Sequence, residues 1–186
     1  MDILYWLAGA IYDFMNGMPE GWPGGWSFLW WGFIAAIPVI ILHELGHAIV
    51  AAHRLGADVE GTVGNAVKLA QVRLGRIQAS LNAFARPGYL AGSASVDATR
   101  ATLRDVLWIA LAGPLASLGG LAVTAFLLSH AASTGPVHDL LWSMTAAGAW
   151  AFGLNLVPFR AEESDGTKIW TDGRLALDAL RVMRRG

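Results

Sequence analysis

At 186 residues the chain is the size of one domain, but 55 % apolar against 15 % charged residues, with 22 Gly and 9 Trp, sets it apart from ordinary soluble domains and points to a membrane protein. The lack of cysteine excludes disulfides and thiolate-held zinc, so any metal must rest on His and carboxylate side chains. A formal charge of -1 argues against a nucleic-acid partner, which requires a basic excess on one face.

Residues 1–25 place Ile3, Leu4, Leu7, Ile11 and Phe14 on one helical face, interrupted by Asp13, and Trp6, Trp22 and Trp26 resemble an aromatic belt. An interfacial amino-terminal segment is expected in preference to a further span. The basic stretch that opens a signal peptide is missing. Trp26 to Leu42 carries no charge, and the helical pattern runs on through HELGHAIVAAH, giving a first span over about 26–53. From Trp26 to Ala52 such a helix is roughly 40 Å long, more than the roughly 30 Å of a hydrocarbon core.

Residues 57–106 mix Gly, small polar residues and alternating runs such as Val72-Arg73-Leu74 and Ile77-Gln78-Ala79, which reads as a β-hairpin or irregular structure. A helix from about Ser95 leads into a second uncharged run, 107–129, and a third follows at 140–158. The tail sets Leu175, Ala179 and Val182 apart from Arg174, Arg181, Arg184 and Arg185, as in a helix lying on an anionic membrane surface. Lys and Arg fall in 54–106 and 159–186 and are absent from 1–26 and 130–139. By the positive-inside rule the basic side is cytoplasmic. The expected architecture is therefore an all-α membrane protein: a three-transmembrane-helix core over 26–159 with a small β-hairpin or irregular cytoplasmic or re-entrant segment, then a cytoplasmic tail over 160–186.

The chemistry concentrates in His43-Glu44-Leu45-Gly46-His47. Helical residues four apart share a face, so two imidazoles can reach one metal, and Glu44 is placed to take a proton from water held there. Two His and a Glu inside an apolar span are costly at membrane depth and are usually functional. A catalytic zinc site normally has three protein ligands and one position left for water. The third ligand must come from the same side of the membrane, and Asp165 in Ser164-Asp165-Gly166, after the third span, is the choice. Asp172, which also precedes a Gly, is the main competitor; Glu162 and Glu163 read as a solvated acidic stretch. His53 is turned away from the ligand face, and His130 and His138 fall on the other side of the membrane. Gly46 serves either close approach of a substrate backbone or tight helix packing.

HELGHA at 43–48, AGPLASL at 112–118 and NLVP followed by SDG, in this order on three spans, resemble the site-2 protease family of intramembrane zinc metalloproteases. The resemblance covers most of the chain. It implies cleavage of a peptide bond in or near a transmembrane segment of another membrane protein, with His43, His47 and Asp165 as zinc ligands and Glu44 as the acid/base. It gives Asn155 a role in positioning substrate or stabilising the oxyanion, where the residues alone equally allow a hydrogen bond closing a Pro-broken helix. Gly113-Pro114 matches a packing motif. Two departures stand out: six residues separate Pro158 from Asp165, and Ser117 stands where Asn is common, a change expected to affect packing alone. With no appended soluble domain the chain reads as a minimal core, embedded in the cell's inner or plasma membrane with its active site toward the cytoplasm. Its partners are the lipid bilayer and a transmembrane protein substrate, with a regulatory membrane partner left open. The main alternative is a non-proteolytic zinc-binding scaffold or chaperone, against which intact Glu44 argues. Val72 to Leu81 is expected to offer a strand edge to an unwound substrate.

Overall fold

The computed structural model describes residues 26–83, 92–97, 99, 101–132, 135–162 and 168–185, with the main chain alone at 26–30, 96, 161–162 and 168–169. The expected amino-terminal interfacial segment lies outside the described residues. Helix α1 (Trp26–Leu55) runs through Pro38 without a break. Four strands follow, β1 (Val59–Val63), β2 (Lys68–Leu74), β3 (Ile77–Asn82) and β4 (Gly92–Val96), and then helices α2 (Leu103–His130) and α3 (Pro136–Leu156). A small hairpin of β5 (Arg160–Glu162) and β6 (Lys168–Trp170) leads into helix α4 (Asp172–Met183).

The start of α2 is fixed by a capping box: Thr102 Oγ1 accepts from the Asp105 amide, and the Asp105 carboxylate accepts from the Thr102 amide. The same carboxylate takes a 2.9 Å hydrogen bond from Arg54 Nε, tying the end of α1 to the start of α2. Helices α1, α2 and α3 pack against one another through small residues. Gly46 is one of these, since a β-carbon there would lie 2.6 Å from the Ala112 carbonyl oxygen and 2.7 Å from Ala116 Cβ. Helix packing therefore accounts for Gly46, in the way small residues let helices approach in lipid. The buried apolar side chains are mainly small, such as Ala35, Ala48, Ala51, Ala110 and Ala112, while Ile49, Val123, Phe126 and Trp150 point outward. Large apolar side chains outside and small ones inside suit a lipid environment better than water.

The expectation of an all-α protein with three spanning helices is overturned on two counts. The architecture is mixed, with four described helices and a four-stranded sheet of order β2-β3-β1-β4. The expected hairpin exists as β2 and β3, joined at Leu74↔Ile77 through Gly75, whose φ of +60° suits glycine. But β1 pairs in parallel with β3 and antiparallel with β4, and these long-range ladders left no local pattern in the sequence. Val59 and Val63 bury one face of β1, with Val59 packed on Ala48 and Ala51 of α1. Secondly, two described helices, Trp31–Leu55 of α1 and α2, are long and apolar enough to cross a membrane by length and composition. The stretch expected as a third span does form α3, but Asp139, Ser143, Thr145 and Asn155 dilute its apolar character.

Candidate metal centre

His43 and His47 lie one turn apart on α1, both buried, with ring centroids 4.8 Å apart and planes nearly perpendicular. Their orientation comes from a stripe on α2 made of Ile109, Gly113 and Ser117, each four residues from the next and so on one face. The Ile109 carbonyl accepts a 2.6 Å hydrogen bond from His47 Nδ1. Ser117 Oγ bonds His43 Nδ1 at 2.9 Å. Gly113 lies flush with the His47 ring: a β-carbon there would collide with Nε2 and stand 2.6 Å from Cε1. With both Nδ1 atoms engaged, both Nε2 atoms are turned the same way. Ser117 thus does more than pack, contrary to the expectation, and its spacing from Gly113 was the available signal.

The carboxylate brought to these rings is Asp172, the first residue of α4. Its Oδ2 is 3.1 Å from His43 Nε2 and 3.4 Å from His47 Nε2, and the two Nε2 atoms are 3.2 Å apart. Asp165 lies outside the described residues. Two contacts deliver Asp172. The β5–β6 hairpin returns the chain to the end of α3, where the buried hydroxyl of Thr171 donates to the Val157 carbonyl at 2.7 Å and accepts from the Phe159 amide at 3.2 Å. Gly173 then lets α4 close on α3, because a β-carbon there would meet the main chain of Leu156, including its carbonyl oxygen.

These three residues form a group that can hold a metal ion. A carbonyl only accepts, so Nδ1 of His47 carries the proton and Nε2 of the neutral ring presents a lone pair. That lone pair faces a second ring nitrogen and a carboxylate, an arrangement that needs a cation or a proton among the three atoms. Their separations of 3.1–3.4 Å fit a tetrahedral ion, for which ligand distances of about 2.0–2.1 Å imply edges of about 3.3 Å. Burial pushes the Asp172 carboxyl up, but the hydrogen bonds and charge of His43 and His47 outweigh it and hold the carboxyl below its ordinary range.

Glu44 is half-buried and close enough to His47, His43 and Asp172 to interact electrostatically with all three. It faces the sheet, where a β-carbon on Gly92, the first residue of β4, would stand 2.5 Å from Glu44 Oε1. Glu44 also lines a largely apolar cavity of about 200 Å3 between α1 and the sheet, walled mainly by Ile41, Leu45, Val63, Val72 and Leu81, with Gln71 and Ser80 as its other polar side chains. Asn155 donates from Nδ2 to the Ala151 carbonyl of its own helix at 2.9 Å. His53 is exposed near the end of α1, and His130 and His138 sit at the far ends of α2 and α3, away from the group.

The fold and site together define a mixed helix-and-sheet protein with two candidate membrane helices and a group of buried His43, buried His47 and half-buried Asp172 able to hold a metal ion. No family model, no curated protein and no solved structure matches the chain.

Proposed function

We propose that the protein is an intramembrane zinc metalloprotease of the site-2 type, embedded in the cell membrane with its metal centre toward the basic, cytoplasmic side. The observation that carries the reading is the convergence of His43 Nε2, His47 Nε2 and Asp172 Oδ2 within 3.4 Å of one another, beside Glu44 and an apolar cavity. Zinc held by these three residues would supply Lewis acidity, polarising a peptide carbonyl and acidifying water.

The remaining chemistry belongs to the chain. Glu44, one residue on from His43, accepts the proton of the attacking water and returns it to the leaving amine. Burial among helices keeps bulk water from the reacting carbonyl, and the Ile109 and Ser117 contacts hold both imidazoles in place throughout. A substrate helix hides its carbonyls in internal hydrogen bonds and must unwind before attack. The edge expected from 72–81 is half consumed, since β3 pairs on both sides. Among the described residues β4 pairs with β1 alone, and it lies against Glu44, so β4 is the edge offered to the unwound segment.

The test reconstitutes wild type and Glu44→Gln with single-span substrates and measures both cleavage and bound zinc. Zinc retained with cleavage lost is the expected result for the mutant. Equal cleavage by both proteins removes Glu44 from the chemistry, and unchelated wild type without zinc removes the whole reading.

A further inference from the structure

Asp178, on α4, is crowded by guanidinium groups. Arg174 Nε is 2.9 Å away, one turn earlier on the helix; Arg181 approaches to 3.7 Å from the following turn, and Arg160 of β5 to 3.8 Å. Three positive charges meet one negative charge, so the group carries a surplus of two among the described side chains. Arg160 and Arg181 are 53 % and 54 % exposed and keep donors free to reach outward. Arg184 and Arg185 extend the basic surface past the helix end.

The surroundings suit a lipid headgroup layer. Arg160 stacks 4.6 Å over the ring of Trp170, an aromatic type favoured at membrane interfaces. Leu175, Leu180 and Val182 are exposed on the flanks of α4, while Ala176 and Ala179 bury its inner face. The helix itself packs on α2, one of the two candidate membrane helices. A basic centre with apolar flanks on a helix held at a bundle's edge matches anionic phospholipid, whose phosphate accepts the paired hydrogen bonds that arginine offers. Asp178 is six residues beyond Asp172, about 9 Å along the same rigid helix, so holding one holds the other.

We propose that Arg160, Arg174 and Arg181 form a docking site for the phosphate of anionic phospholipids, and that lipid bound there fixes α4 and so keeps Asp172 against His43 and His47. The lipid site rests on the membrane reading above, and only its effect on Asp172 rests on the metal reading.

The experiment uses the full chain in mild detergent, titrated with phosphatidylglycerol, phosphatidylcholine or inorganic phosphate. Thermal midpoint and the rate of zinc loss to a chromophoric chelator are both followed. Phosphatidylglycerol should raise the midpoint and slow zinc loss where phosphatidylcholine does not. Arg160→Gln/Arg181→Gln should weaken the apparent phosphatidylglycerol affinity by about 25-fold, at about fivefold for each arginine near an anionic surface. Asp178→Asn, which keeps all three arginines, should leave that affinity undiminished and guards against reading a merely unstable variant as a lipid-blind one. Equal responses of wild type and the double variant overturn the proposal, as does an equal effect of phosphatidylcholine or of inorganic phosphate. Lipid-dependent stabilisation in a protein that binds no zinc in any condition would preserve the lipid site and overturn its proposed effect on the metal, together with the protease reading.

Discussion

Gly173→Ala is a small change with a large expected effect. A β-carbon at this position would press on the main chain of Leu156, 2.5 Å from its carbonyl carbon and 3.0 Å from its Cα. Carbon atoms in contact prefer about 3.5–4.0 Å, so the first turn of α4 must retreat by about 1 Å, because a backbone at a helix end cannot swing aside as a side-chain tip can. That retreat would widen the 3.1 and 3.4 Å gaps between Asp172 and the two imidazoles well beyond the roughly 0.2 Å that metal–ligand distances tolerate. Zinc affinity should fall about 10–100-fold, the usual cost of disturbing the support of a metal ligand. Competition against a chromophoric chelator measures this, with far-UV circular dichroism confirming that the helices remain. Gly119→Ala, at a position with nothing within 4 Å, is the control and should bind zinc as wild type does. Wild-type affinity in a folded Gly173→Ala protein would refute the idea that this contact holds Asp172 in place.

Asp172→Asn should release zinc while Asp165→Asn retains it, read as metal content after dialysis; the reverse pattern would restore Asp165 as the third ligand. Ser117→Ala removes the bond to His43 Nδ1 and should weaken zinc binding by about tenfold, with Ser117→Thr recovering part of the loss. Gly92→Ala pushes on the Glu44 carboxylate from β4 and should lower cleavage while leaving bound zinc unchanged, a separation seen by assaying both on one sample. Ala79→Leu narrows the cavity beside Glu44 and should slow substrates with bulky apolar side chains more than those with small ones, compared through kcat/KM.

The sequence shows the imidazole pair because helical spacing is a local property: His43 and His47 face one way in any helix, and Glu44 follows from the same turn. The long apolar runs showed α1 and α2 for the same reason. The sheet was half legible, since β2 and β3 alternate on either side of Gly75 and need only each other. Strand β1 needs β3, eighteen residues on, and β4 beyond that, and neither pairing leaves a mark in Val59-Glu60-Gly61-Thr62-Val63. The sequence favours Asp165 over Asp172 as the carboxylate, although both precede glycine and no local pattern separates them. What brings Asp172 to the imidazoles is a set of long-range contacts, Thr171 on Val157 and Gly173 on Leu156, that join the start of α4 to the end of α3.

His43 and Asp172 stand 129 residues apart, and on the metal reading that distance acts as a clock. A ribosome delivers the paired imidazoles early and the carboxylate only after two further long helices have been made. If the protein is the membrane protease proposed above, a nascent copy lacks a complete ion cage, and cannot cut its neighbours, until α4 has been made and has packed against α2 and α3.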